Sequence, residues 1–232
     1  MRRLAFGITL VIGLAACSGQ GDGSSSAPSA GESTALSPSP AESASSSASD
    51  ATGEGALCAV GHEPCPLEAG TYSSAPFEPA FTFAIDDGWQ NDRAFADGGG
   101  ISKETGGIYW GSGVSGGTVA GEEVEIGASP EDFVDFLQTL EAAGVTVSEP
   151  APASVDGVEG QQVDVESNDV DVPELYFIDE DQFNLVANEK ARFIVLDKDG
   201  ETVLLIIDAF TTADFDDWLD TAEPVMESIS WE

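Results

Sequence analysis

"ARFIVLDKDGETVLLIIDAF", Ala191 to Phe210, decides the architecture of this chain. Two apolar runs flank Asp197-Lys198-Asp199-Gly200, which reads as the turn of a β-hairpin. A strand with one wet face alternates apolar and polar residues, and these runs do not. Phe193 to Leu196 and Val203 to Ile207 are apolar without a break, so both faces of both strands need cover. That places the hairpin centrally in a sheet covered on each side.

The flanking segments supply a sheet and its cover. In "FTFAI", Phe81, Phe83 and Ile85 alternate as in a half-buried strand, and "DDGW", Asp86 to Trp89, turns the chain afterwards. "PLEAGTYSSAPFEP" leads into that strand, and Phe81, Phe83, Ile85 and Trp89 are assigned to the core between sheet and helix. Short strands are expected around "GGIYW" and "EEVEI", and strand-like segments at "VTV", "QQVDVES" and "ELYFI".

Two helices stand apart. "ASPEDFVDFLQTLEAAG" begins with a capping Ser129, Pro130 at the first helical position and Glu131 and Asp132 at the positive end of the dipole. It carries the stripe Phe133, Phe136, Leu137 and Leu140 and stops at Gly144. "TADFDDWLDTAEPVMESIS" carries Phe215, Trp218, Leu219, Ala222, Met226 and Ile229, and Pro224 is expected to kink or split it. Strands with two separated helices around an antiparallel hairpin indicate α+β, in one globular domain from residue 57 to 232.

The first 56 residues are of another kind. "MRRLAFGITLVIGLAAC" has Arg2 and Arg3, an apolar run of 13 residues and small residues at its end, the pattern of a secretory signal. That run is shorter than the roughly 20 residues that span a bilayer as a helix. Leu14-Ala15-Ala16-Cys17 resembles the lipobox of bacterial lipoproteins. The resemblance implies that residues 1–16 are removed and that Cys17 is acylated, holding the protein on the extracytoplasmic face of the cell membrane. From Ser18 to Ala56 the chain is Ser, Ala, Gly and Pro, with 13 serines and Leu36 as its only large apolar residue. Residues 17–56 therefore read as a lipid-anchored Cys followed by a flexible tether, with a reach of roughly 35 Å.

Cys58 and Cys65 in "CAVGHEPC" are an even pair, and in an exported chain they read as a disulfide. His62 between them offers a third metal ligand, but structural zinc takes four and the usual spacings are missing. The charge balance is extreme: 43 Asp and Glu against 7 Lys and Arg, a formal net charge of −36. Such a surface repels nucleic acid and anionic headgroups, so neither is expected as a partner. The acids are scattered through every element, the pattern expected of a protein adapted to high salt.

The catalytic inventory is thin. There is one histidine, and carboxylate pairs arise by chance in so acidic a chain, so no enzyme is expected and a carboxylate-based hydrolase is only the third reading. "GSGVSG", Gly111 to Gly116, matches G-x-G-x-x-G, but no helix starts there to receive a pyrophosphate, and no cofactor is expected. "DKDGETVLLIID" is not a calcium loop, because Gly200 falls at loop position four where that loop needs glycine at six. In "SNDVDVPELYFIDEDQF", Asp179, Glu180 and Asp181 are weak candidate cation ligands beside the reading of a solvated acidic face. Tyr109 and Trp110 are assigned to core before ligand contact.

The order of these elements, "IDDGW", "PEDFVDFL", "RFIVLDKDGETVLLIIDAF" and a closing "AEPVMESIS", resembles the PsbP-like fold. The resemblance is nearest to exported bacterial lipoproteins carrying such a domain behind a Ser-rich tether, and it covers about Phe77 to Ile229. It implies an α/β/α sandwich around an antiparallel sheet and a binding or assembly role shared by members without a common activity. No functional residue carries over. The expectation is thus a non-catalytic envelope lipoprotein, its partners the membrane through the lipid and an envelope protein. The alternative is a lipoprotein that binds a cation or small ligand, although solute-binding proteins usually need two lobes and a cleft.

Overall fold

The structure, a computed structural model, describes residues 54–58, 64–94, 97–169, 175–176 and 182–232, all within the compact unit Ser49–Glu232. The principal strands are β1 (Gly70–Ser73), β2 (Phe81–Ile85), β3 (Gln90–Ala94), β4 (Gly98–Lys103), β5 (Gly106–Ser112), β6 (Gly116–Val119) and β7 (Glu122–Glu125). Helix α1 (Pro130–Thr139) follows, then β8 (Ala151–Val155), β9 (Val158–Glu166), β10 (Lys190–Lys198), β11 (Glu201–Ala209), helix α2 (Phe215–Glu227) and β12 (Ser230–Trp231).

The hairpin lies where its composition requires. The main sheet runs β9-β10-β11-β5-β4-β3, all antiparallel, with β8 on the outer side of β9 and the short strands Thr146–Val147 and Cys65–Pro66 at its ends. Lys198 pairs with Glu201, so the turn is Asp199-Gly200, with φ of 57° and 89°. That two-residue turn needs positive φ at both positions, which glycine tolerates without cost.

The two faces of β10 and β11 enter two separate cores. Ile194, Leu196, Val203, Leu205 and Ile207 join Phe81, Phe83, Trp89, Trp110, Phe215 and Trp218. Phe193, Val195, Leu204 and Ile206 join Phe133, Phe136, Leu137 and Leu140 of α1 and the segment after it. Period two along the strands therefore sorts one apolar run into two cores. Buried apolar surface stabilises by about 25 cal/mol per Å², and these strands contribute it on both faces.

The architecture is α+β, as expected, and richer in sheet than a symmetric sandwich. α1 covers one face, whereas α2 shares the other with a small second sheet of Glu54–Ala56, β1, β2 and β12. Phe81, Phe83, Ile85 and Trp89 are buried core, as assigned, and Phe77 is buried with them. The indole of Trp89 donates to Asp86 at 2.7 Å, and Lys103 donates to the same carboxylate at 2.8 Å, which pins the "DDGW" turn. These two donors, Lys103 first, hold the Asp86 carboxyl below its ordinary range.

α1 starts as its sequence requires. Ser129 Oγ accepts from the amide of Asp132, and the Asp132 carboxylate accepts from the amide of Ser129, a capping box. The helix tightens into a 3-10 turn, Leu140–Ala143, and ends at Gly144 with φ of 90°.

One expectation is corrected. α2 is not split at Pro224 but runs unbroken from Phe215 to Glu227. Pro224 lies on the exposed side, so the carbonyl it leaves without an amide partner can be hydrated. Val225, outside the expected stripe, is buried with Phe215, Trp218 and Ala222, while Leu219 and Met226 are half-buried.

Candidate functional site

Leu219 and Met226 stay half-buried because they border a groove rather than the closed core. α2 forms one bank, and the β8–β9 hairpin with the adjoining part of β10 forms the floor and the other bank. The groove has a volume of about 400 Å³. Ile194, Ile207, Leu219 and Met226 line it with apolar surface, and Asp156, Asp220, Glu223 and Glu227 add carboxylates. Among the described residues its one cation, Arg192, is already paired. The guanidinium donates to both oxygens of Asp164, from Nε at 2.7 Å and from Nη2 at 3.0 Å, the two-pronged geometry that suits carboxylate recognition. This bonding holds the Arg192 pKa above its ordinary value.

A second feature lies on the opposite face of the sheet. Gln90, Ser102, Gly107, Asp208 and Ala191 are successive cross-strand partners over β3, β4, β5, β11 and β10. Asp208 is 4% exposed, and its Oδ1 is buried with no hydrogen-bond partner among the described residues. Burial, with Glu189 adding like charge, pushes its pKa up to about 8. Burial also raises the Glu189 carboxyl. Along the same row Ser102 donates to Asp92 at 2.9 Å and accepts from Gln90 at 3.0 Å, and the Tyr109 hydroxyl donates to Asp92 at 3.4 Å. Burial thus favours the neutral form of Asp208, which lies in the interior of a sheet rather than in an open cleft.

A third feature gives the glycine-rich segment a role. A cleft of about 660 Å³ lies between Gly113–Ser115, Ile126–Ala128, Phe133 and the β10–β11 turn. Among the described residues its lining holds no cation, and the start of α1 beside it is closed by its own capping box. The "GSGVSG" loop therefore borders a cavity with acidic Glu125 and Glu201, a setting that repels phosphate.

Cys58 and Cys65 are joined as a disulfide with Cα atoms 6.7 Å apart. Cys17 and His62, and the cation candidates Asp179, Glu180 and Asp181, lie outside the described residues. Among the described residues no group of three or more His, Cys, Asp or Glu is arranged to hold a metal, and no helix is long and apolar enough to cross a membrane. Trp110 is buried against Phe81 and Phe83, with ring centroids at 5.4 and 5.6 Å. Tyr109 packs on Phe183 on the other face.

Asp208 and the groove were not among the residues singled out from the sequence. The signal for Asp208 was a lone acid ending the run Val203–Ile207, which by itself marks only the end of a strand. The groove had no local signal, since its floor and banks come from segments as far apart as β8 and α2.

No family model matches the chain, and no curated protein matches it. Among solved structures the chain is similar to the solution structure of cyanobacterial PsbP (CyanoP) from Synechocystis sp. PCC 6803. The identity is 9% and the TM-score 0.41, over 72% of this chain and 94% of that one.

Proposed function

We propose that the chain is a lipid-anchored lipoprotein of the cell envelope, whose PsbP-like domain acts by binding rather than by catalysis on the extracytoplasmic side of the membrane. The observation that carries this reading is the Cys58–Cys65 disulfide at the start of the domain. Structural disulfides persist where the compartment is oxidising. This one stands downstream of Leu14-Ala15-Ala16-Cys17 and a Ser-rich tether, the arrangement of a chain exported, acylated and held clear of the bilayer. A multiply acylated cysteine anchors firmly where one chain would hold only marginally.

Metabolic labelling with a fatty acid tests the anchor. The expected outcome is label on the wild type and none on Cys17→Ser. An unlabelled wild type defeats the anchor, and label that survives the substitution places it elsewhere.

A second reading, a lipoprotein presenting a small ligand or cation, is favoured by the 660 Å³ cleft beside Gly113–Ser115. Calorimetric titration with calcium chloride in high salt tests its cation form. Saturable heat supports it, and its absence removes it.

A further inference from the structure

We propose that the groove between α2 and the β8–β9–β10 surface docks a basic, amphipathic segment of a partner protein. The inference rests on the reading of the chain as a binding module and adds the partner's chemistry to it.

The groove has the two components such a segment needs. Leu219 and Met226 are two helical turns apart, about 10 Å along α2, and meet Ile194 of β10 on the floor. Each of these helical apolar residues is followed at once by an exposed acid, Asp220 and Glu227, and exposed Glu223 lies between them. The opposite bank ends at Asp156, in the β8–β9 turn. An apolar strip therefore runs between acidic banks. The pairing of Arg192 with Asp164 leaves that guanidinium no spare charge to offset them. A helix with apolar residues at i, i+3, i+4 and i+7 and Lys or Arg beside them would bury the strip and meet the carboxylates. Met226 is the only methionine after Met1, and its flexible thioether adapts to unlike apolar partners.

Charge decides the occupant. Residues 18–53 of the chain itself carry Asp22, Glu32, Glu42 and Asp50 and no Lys or Arg, so the acidic banks repel them. A second copy brings a formal charge of −36 and is repelled as well. Only a basic partner is complementary. The general acidity of the surface steers it, and the apolar strip selects where it stops.

The test is calorimetric titration of the full chain in detergent with an 18-residue Leu/Lys peptide whose leucines segregate to one helical face. A peptide of the same composition in shuffled order, unable to form such a face, is the control. One saturable site is expected in 0.15 M NaCl, with at least tenfold weaker binding of the shuffled peptide. Glu223→Lys with Glu227→Lys should weaken the segregated peptide at least tenfold. Asp135→Lys with Glu141→Lys, the same charge change on α1 and the 3-10 turn after it, should weaken it less than twofold. Both pairs replace exposed side chains, and circular dichroism confirms that each variant is folded. Absence of a saturable site overturns the proposal. So does equal binding of the shuffled peptide, an unaffected Glu223/Glu227 variant, or equal weakening by the α1 pair. None of these outcomes bears on Cys17, whose labelling tests the anchor separately.

Discussion

Asp208 faces Gly107 across the β5–β11 ladder, and the ring of Tyr109 fills the space that a side chain at position 107 would need. The acid is thereby shut into the sheet beside a glycine, with an aromatic ring covering the gap. Its Oδ1 has no partner among the described residues, and an unpaired buried carboxylate costs more than a neutral acid in the same place.

A pH dependence follows. The unfolded chain loses this proton near the ordinary value of 3.8 and the folded chain near 8. Between those limits the unfolded state binds fewer protons, so stability falls as pH rises and levels off above pH 8. Asp208→Asn removes this contribution. Guanidinium midpoints of the two proteins should diverge steadily from pH 4.5 to 8, the variant gaining about 1.4 kcal/mol per pH unit at most. A difference that stays constant with pH would show that Asp208 does not titrate this way.

Gly106 is held by contact. A Cβ there would collide with the Trp218 indole and with the carbonyl oxygen of Asp208, and the latter is backbone that cannot swing aside. Gly106→Ala should therefore cost about 1–3 kcal/mol by overpacking. Gly121 has open space around it and a φ of 82°, so Gly121→Ala costs only the conformational term, below about 1–2 kcal/mol. Thermal melts of the two variants should rank in that order.

Reduction of Cys58–Cys65 should destabilise without unfolding. The bridge closes a loop with a sequence separation of 7, for which the chain-entropy model gives about 2.5 kcal/mol. For a domain of this size the melting temperature should fall by roughly 5–10 °C in excess dithiothreitol. The Cys58→Ala, Cys65→Ala double variant should melt at the lowered temperature and show no further response to the reductant.

Salt should stabilise the fold. With 43 acidic and 7 basic residues most carboxylates have no cation available, and among the described residues the ion pairs are Lys103–Asp86, Arg192–Asp164 and Lys198–Asp199. Screening of the remaining repulsion should raise the folded fraction between low and molar salt, followed by far-ultraviolet circular dichroism. A melting temperature independent of salt would remove the case for salt adaptation.

How much was legible varied with the range of the interaction responsible. Hairpin Lys190–Ala209 and the start of α1 were readable because their determinants are local: Asp199-Gly200 closes a turn, and Ser129 and Asp132 cap each other three residues apart. Pro224 misled because a proline costs a helix one hydrogen bond, and whether that breaks it depends on packing elsewhere. Here Trp218, Ala222 and Val225 are buried on both sides of the proline and hold the helix together. The hairpin turn Asp156-Gly157, with φ of 46° and 78°, carries the same dipeptide signature as Asp199-Gly200 and could have been read the same way.

By itself the sequence determined the class of fold, the central place of the Ala191–Phe210 hairpin and the acidic character of the surface, because turn chemistry, strand period and charge count are properties of neighbouring residues. Only the tertiary structure decided that Asp208 is sealed beside Gly107, that the glycine-rich loop borders a cleft and that Leu219 and Met226 line a groove. Burial and concavity are made by segments that meet from far along the chain. The environment that shifts a carboxyl or shapes a docking surface exists only once those segments have packed.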